Sequence, residues 1–426
     1  MKGAAALRMP ESDDALISVL YVHHAGTFGG ASRSLLELIK GFPQGSVAPR
    51  LITQRGGVAQ FFARSGIEVI ETTGISQFDH TRFGHYRGRR WLLLLREMIY
   101  LPFTILALLR ARRRWKDIDI VHVNEVVSLA TVILGKILFR CPVVVHVRSM
   151  QETRRGRLRT RIIGRLLRRY ADAVIAIDET VRRSLPAGID AAVVHNAYSP
   201  GSDRTGASTA QPLIPPKSPG PLRVAMVGSP LAFKGVWEFV EAARLCRERN
   251  LAVEFLVVGV GSRQSGGPIR GLLRAAGFMH DAGEELRRHI EKYGLKDSVH
   301  LIAFTPDIDQ VYRNIDVLCF PSHLNAVGRP VIEAAFWSVP SIVAMRDPQP
   351  DTMVHCETGL CIEPGDPRAI ADAISFFCRN PFETARMGEA ARRLALQNFD
   401  SGKNAARVLD IYLRALAAST PVKATA

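Results

Sequence analysis

Between residues 321 and 340 the chain reads PSHLNAVGRPVIEAAFWSVP, and these residue types suit the binding of a phosphorylated sugar. An apolar strand, Val317 to Phe320, runs into a polar loop, and Gly328-Arg329-Pro330 then leads into a short helix carrying Val331 and Glu333. Glycine permits a tight turn, and proline at the first helical position sacrifices no hydrogen bond. The free N–H groups and positive dipole end of that helix favour an anion such as phosphate. Glu333, expected in the first turn, can accept hydrogen bonds from vicinal hydroxyls. Phosphate beside hydroxyls describes a nucleotide sugar. Taken alone, the same stretch is also an ordinary strand–loop–helix unit in which Glu333 eases the helix dipole.

Other strand ends carry candidate chemistry. The first strand is followed by His23-His24-Ala25-Gly26-Thr27-Phe28-Gly29-Gly30 and then by a helix over residues 31–39. Gly29 and Gly30 let backbone approach a phosphate closely, or merely turn the chain from strand to helix, and Ser32 and Ser34 offer hydroxyls. His146 closes the strand Pro142–Val147 and precedes Arg148 and Ser149. A lone histidine is usually structural, yet C-terminal strand ends are where parallel sheets place ligands. Arg148 suits an anionic acceptor group or a solvated surface charge. His122 and Glu125, in VHVNE, rank below these.

These segments resemble the retaining glycosyltransferases of family 4, which have two Rossmann-like domains, the GT-B fold. In that family two glutamates separated by seven residues follow a Pro-Ser pair. Here Pro321-Ser322, Gly328, Glu333-Ala334 and Pro340 fit, while Asn325 replaces the first glutamate and Ser338 a glycine. Lys234-Gly235 fits a G-R-L-x-x-x-K-G loop, with Ser229 at the arginine position. Gly259 and Gly261 fit a V-G-x-G turn, Gly29-Gly30 a GG-x-E/S-R loop, and His146 the histidine after the corresponding strand.

The resemblance implies a nucleoside-diphosphate sugar as donor substrate. Lys234 and the helix start at Arg329, Pro330 and Val331 would hold its diphosphate, with Gly29-Gly30 facing it. Gly259 and Gly261 would border the base, Glu333 the ribose, and Asn325 and His146 the sugar. His146, Lys234 and Asn325 are the expected catalytic set, with Ser32 and Arg148 on the acceptor side. Ser229 removes one cation from the diphosphate clamp, and arginine's bidentate fork is the stronger phosphate grip. Arg329 is expected to supply the missing charge. Asn325 can hydrogen-bond but cannot be a nucleophile, so a front-face route, in which the leaving diphosphate oxygen takes the acceptor proton, is expected. On one helix, residues 325 and 333 would stand about 80° apart, so a loop must hold the first. No Asp-x-Asp motif lies at a convincing strand end, so neither a metal nor another cofactor is required.

Short runs rich in Val and Ile supply the elements that would position these groups. Strands are expected at Leu16–Val22, Arg50–Thr53, Glu68–Ile70, Asp119–Val123, Val143–Val147, Ala173–Ile177 and Ala192–Val194, then at Leu222–Val227, Glu254–Val258, Val299–Ile302, Val317–Phe320, Ser341–Ala344 and Leu360–Ile362. Continuously apolar strands alternating with helices predict α/β architecture, two doubly wound parallel sheets facing a central cleft. Residues 1–200 form the expected acceptor domain, 201–220 a Pro/Ser-rich linker, 221–398 the donor domain, and 399–426 a helix crossing back to the first domain, with a tail. Residues 262–283 are longer than the pattern needs, as a flap or a surface loop would be.

With 426 residues, 47% of them hydrophobic and 23% charged, the chain is an ordinary globular one. Of the net +16, residues 1–200 hold +14, from 30 Lys/Arg against 16 Asp/Glu. That asymmetry favours an anionic partner. Residues 91–109 are apolar but broken by Arg96, Glu97 and Pro102, which excludes a membrane span. Cationic flanks at 85–90 and 110–116 suit an apolar segment lying in a headgroup layer, or a buried helix with solvated charges. Six scattered cysteines and no secretory signal point to reduced cytoplasmic thiols. The expected partners are therefore a nucleotide sugar, a lipid-linked or oligosaccharide acceptor and an anionic membrane surface, at the inner face of the cytoplasmic membrane in cell-envelope polysaccharide or glycolipid assembly. Two rivals differ in class: a nucleotide-sugar-binding protein without turnover, given Ser229 and Asn325, and a nucleic-acid-binding protein, given the arginine run 154–169. No recognised nucleic-acid module accompanies that run, so no nucleic-acid partner is expected.

Overall fold

The computed structural model describes residues 16–27, 29–82, 84, 86, 88–152, 157–201, 214, 217, 220–260, 282–305 and 307–419. The apolar runs of the first half become β1 (Ile17–His23), β2 (Val47–Gln54), β3 (Glu68–Thr72), β4 (Ile120–Val123), β5 (Val143–Val147), β6 (Ala173–Ala176) and β7 (Ala192–Val193). All pair in parallel in the order β3-β2-β1-β4-β5-β6-β7. Every residue of β1, β4 and β5 is buried, as expected for a parallel sheet with both faces covered. The covering helices are α1 (Gly30–Gly41), α2 (Gly57–Arg64), α3 (Leu93–Arg114), α4 (Leu129–Phe139), α5 (Arg157–Tyr170) and α6 (Glu179–Arg183).

A second parallel sheet comprises β8 (Leu222–Val227), β9 (Val253–Val260), β10 (Val299–Ala303), β11 (Val317–Phe320), β12 (Ser341–Ala344) and β13 (Gly359–Ile362), in the order β10-β9-β8-β11-β12-β13. Its helices are α7 (Val236–Glu248), α8 (Ala282–Lys292), α9 (Asp309–Tyr312), α10 (Arg329–Ala335), α11 (Pro367–Arg379) and α12 (Pro381–Asn398), and α13 (Ser401–Ser419) follows. Each expected strand is present, its ends moved by at most three residues. The largest move is β2, which starts at Val47 despite Pro49. Pairing with β3 begins only at Arg50, so Pro49 lies where one side is unpaired and its missing N–H is tolerated.

By contacts the chain divides into two compact units. The first takes the described residues up to Ile177, Val181–Val194 and those from Gly402; the second takes Asp178–Thr180 and His195–Ser401. The single helix expected from Phe399 starts instead at Ser401, because Phe399 caps α12 by donating its N–H to Ala395. Ala405, Val408 and Tyr412 of α13 pack with Val19, Tyr21 and Leu35 in the first unit's core. Most of the expected linker 201–220, and all but Ala282 and Gly283 of residues 262–283, lie outside the described residues, as do His85 and Arg87 of one cationic flank and Arg154 and Arg155 of the arginine run.

In each sheet the strand order reverses beside the unit's first strand, between β1 and β4 and between β8 and β11. Loops leaving the strand C-termini at such a point diverge and leave a crevice, the usual ligand position in open α/β sheets.

Candidate functional site

In the first unit the loops after β1, β4 and β5 hold a directed hydrogen-bond relay. Arg148 Nε donates to Asn124 Oδ1 at 2.7 Å. Asn124 Nδ2 lies 2.9 Å from His23 Nδ1, and His23 Nε2 lies 2.9 Å from Ser32 Oγ. A guanidinium only donates, so Arg148 fixes every proton along the chain: the Asn124 amide donates to His23 Nδ1, and His23 Nε2–H donates to Ser32. Arg148 Nη2 also lies 3.4 Å from His146 Nδ1. That nitrogen must accept, so the His146 proton resides on Nε2. Nε2 is buried and has no hydrogen-bond partner among the described residues. It is a donor suited to a hydroxyl.

Burial keeps these imidazoles neutral. It lowers His23 and His146 well below the usual value, with the Arg148 charge adding to the effect, and brings His24 down to about 4. His122, lowered to about 3 by burial, bonds Tyr412 Oη at 2.7 Å and belongs to the core. Glu125 is pushed up to about 7 by burial, although Ser149 Oγ, at 2.8 Å, and the N–H groups of Val126 and Arg148 donate to it.

Ser32 is buried and meets His23 rather than the surface, so it would act on an acceptor only through that ring. Gly29 and Gly30 are exposed, and a Cβ on either would meet open space. Packing therefore demands glycine at neither, while close approach by a ligand would favour it at both.

In the second unit the loops after β9, β8 and β11 converge. A Cβ on Gly228 would stand 3.3 Å from Lys234 Nζ, and one on Gly259 would stand 2.9 Å from the Gly228 carbonyl oxygen. The Lys234 ammonium is thus laid against the backbone at the end of β8, beside the end of β9. Gly235, at φ +80°, has the left-handed backbone that favours glycine, and a Cβ there would fall 2.0 Å from the Pro321 carbonyl oxygen. Close backbone packing locks the Lys234 loop to the loop after β11, and His323 N donates to the Phe233 carbonyl at 3.0 Å. Ser229 is half-buried, its carbonyl accepting from Leu231 N at 2.8 Å. Gly261 lies outside the described residues.

Asn325 adopts φ +50° and its Oδ1 accepts from Arg346 N at 2.9 Å, just past β12. A left-handed backbone is tolerated better by Asn than by Glu, which gives a local reason for Asn here. Two sequence expectations need correction. Gly328 is extended, at φ −94°, and glycine is needed because a Cβ would fall 2.1 Å from the Phe320 ring. Helix α10 begins at Arg329, so Pro330 is its second residue, and Glu333, its fifth, opens the second turn rather than standing in the first.

Glu333 is buried, accepting from Tyr312 Oη at 2.7 Å on Oε2 and from Arg329 Nε at 2.5 Å on Oε1. Arg329 Nη1 also reaches the Ala197 carbonyl at 3.2 Å, and its guanidinium lies 5.7 Å from the Tyr198 ring centre. Arg329 and Glu333 are therefore one ion pair, where the sequence suggested two independent contacts. Reasoning from sequence gave no role to Asn124, His23, Tyr312 or Arg346. The first two stand at the ends of the strands flanking a reversal of order, a signal available once topology is known. Among the described residues no group of three or more His, Cys, Asp or Glu is placed to hold a metal.

Two family models match the chain: Glycosyltransferase Family 4 over residues 28–201 and Glycosyl transferases group 1 over residues 211–394. The chain is 27% identical over 223 residues to D-inositol 3-phosphate glycosyltransferase of Corynebacterium glutamicum (strain R), covering 52% of this chain and 49% of that protein. It is 33% identical over 104 residues to the capsular polysaccharide biosynthesis glycosyltransferase CapM of Staphylococcus aureus, covering 24% and 27%. The chain thus spans about half the length, or less, of these curated relatives. Among solved structures it resembles Anabaena Alr3699/HepE in complex with UDP, with a TM-score of 0.69, 17% identity and coverage of 93% of this chain and 100% of that one. It also resembles sucrose-phosphate synthase (tll1590) from Thermosynechococcus elongatus, with a TM-score of 0.67, 18% identity and coverage of 94% and 100%. At these identities the structural likeness carries the fold.

Proposed function

Since the chain belongs to the family 4 glycosyltransferases of GT-B fold, we propose that it moves a sugar, with retention and without a catalytic metal, from a nucleoside-diphosphate sugar to an acceptor. The acceptor is lipid-linked or presented at a membrane surface, in cell-envelope polysaccharide or glycolipid assembly, and the protein works on the cytoplasmic side. The observation that carries this reading is Lys234, pinned against glycine backbone where the second sheet reverses its strand order. The Anabaena protein has been crystallised with UDP and with UDP-glucose, which supports a nucleotide-sugar donor.

Lys234 neutralises the diphosphate as the bond from the anomeric carbon to the leaving oxygen breaks. The acceptor oxygen bonds that carbon on the same face, and its proton passes to the leaving diphosphate oxygen. No protein nucleophile is needed, which suits Asn325. The His146 Nε2–H donates to a sugar hydroxyl, and catalysis comes from positioning and charge stabilisation. Glu333, held by Tyr312 and Arg329, is an acceptor for ribose hydroxyls.

A charged hydrogen bond is worth about 1.5–3 kcal/mol. Lys234→Ala should therefore weaken donor binding roughly 10- to 150-fold, read by titration calorimetry with whichever UDP-, GDP- or ADP-sugar raises the melting temperature. Failure of every sugar nucleotide to stabilise the protein, or unchanged affinity in the variant, would overturn the reading. The use of Asn325 Oδ1 on the Arg346 backbone favours one alternative, a donor-binding protein without transfer, which predicts binding with no turnover beyond slow hydrolysis.

A further inference from the structure

Among the described residues, the outer face of α3 is an unpartnered apolar surface. One side of this 22-residue helix buries Thr104, Ala107, Leu108 and Ala111. The other exposes Leu95 (60%), Ile99 (63%) and Leu106 (61%) at helical spacing, with Met98 beside them and Trp91 and Leu92 at the entry. Toward its C-terminal end the same stripe continues as exposed Arg110 and Arg113. The only acidic residue of α3, Glu97, is buried and bonded to Gln77 N and Arg96.

Helix α5 extends this surface. Arg159 holds its guanidinium 5.1 Å from the Trp91 ring centre and donates to the Tyr86 carbonyl at 3.2 Å. The sequence of α5 contains no acidic residue, and the helix exposes Leu158 and Ile162 among its arginines. Arg161, Arg165 and Arg168 line an open pocket of about 340 Å³ with Thr160, Pro186 and Ala187. Exposed apolar side chains framed by cations, with no exposed carboxylate on either helix, complement a surface that is apolar inside and negative outside.

We propose that the outer faces of α3 and α5 dock the protein onto an anionic lipid bilayer. Leu95, Ile99 and Leu106 enter the headgroup–acyl boundary, and the arginine-lined pocket of α5 receives a lipid phosphate. Among the described residues no helix is long and apolar enough to cross a membrane, so α3 lies in the interface plane, about 33 Å of it at 1.5 Å per residue. The inference deepens the membrane-presented acceptor proposed above and rests on it only for the purpose docking serves.

The test is co-sedimentation of the full chain, without nucleotide, with vesicles of phosphatidylcholine alone or with 30% phosphatidylglycerol. Binding should require the anionic lipid and weaken in 0.5 M salt. Each cation near the surface is worth about fivefold in partition, so the double variant Arg161→Gln/Arg165→Gln should bind about 25-fold less. Leu95→Glu/Ile99→Glu/Leu106→Glu should abolish binding. All five side chains are exposed, so both variants should keep the wild-type melting temperature. Three results would overturn the proposal: equal binding to both vesicle types, unchanged binding of either variant, or no vesicle binding at all. A dimer that dissociates in the leucine variant would assign the face to a second copy instead. Because no nucleotide is present, failure here leaves the Lys234 measurement untouched.

Discussion

Replacing Glu125 by Gln isolates one buried carboxyl. Glu125 is 5% exposed, and burial raises it from the usual 4.5 to about 7. An acid with a raised folded pKa holds its proton in the folded chain over a range where the unfolded chain has lost it. Its contribution is complete below pH 4.5 and falls away as pH rises to 7. At 1.36 kcal/mol per unit, a shift from 4.5 to about 7 corresponds to about 3 kcal/mol. His23, His122 and His146 work in the opposite sense: burial keeps them neutral when folded, so stability falls as pH drops below about 6.5. The wild-type curve mixes both effects. Subtracting the Glu125→Gln curve removes the histidines, because Gln does not titrate. The amide NH2 cannot accept the bonds one carboxyl oxygen took from Ser149 or Val126, which adds a pH-independent loss of about 1–3 kcal/mol. Urea unfolding of both proteins at pH 5 and pH 8 should show the variant gaining about 2.5 kcal/mol relative to wild type between those values, since part of the effect is already lost at pH 5. A difference constant to within about 0.5 kcal/mol would refute the assignment.

Gly235→Ala should destabilise the second unit by at least about 2 kcal/mol, from the left-handed backbone and the Pro321 carbonyl oxygen 2.0 Å from the new Cβ; the urea midpoint reads it, and an unmoved midpoint contradicts the packing. Asn325→Val should be about 1–2 kcal/mol less stable than Asn325→Gly, because both lose the bond from Arg346 N while φ +50° disfavours a β-branched residue and suits glycine. Equal melting temperatures for those two variants would show that the conformation at 325 carries no strain.

The strands were legible because parallel strands covered on both faces read as unbroken apolar runs. Lys234 and Gly235 were legible because a loop's spacing is local. The Arg148–Asn124–His23–Ser32 relay was not, because its members lie on four segments brought together only by the strand order β1-β4-β5. Sequence places Glu333 in the first turn of its helix as an acceptor for hydroxyls, because neither the start of α10 nor Tyr312, 21 residues earlier, is visible in local spacing. The exposed face of α3 was half legible. Its composition was plain, but which side packs inward depended on the arrangement of β3 and α4.

Lys234 and Arg329 are cations of different kinds. Arg329 is 10% exposed on its side chain and Glu333 4%, so each compensates a charge taken out of water. Removing one partner of such a pair typically costs about 3–5 kcal/mol, so Arg329→Ala would damage the fold along with any phosphate contact. The pair has no net charge, and an isolated diphosphate drawn to Arg329 would meet repulsion from Glu333. A ligand that brings hydroxyls to Glu333 while its phosphate reaches Arg329 satisfies both partners without separating them. On the donor reading, the Arg329–Glu333 pair then discriminates a nucleoside diphosphate from pyrophosphate, while Lys234, laid against backbone at the end of β8, supplies the charge that either would find.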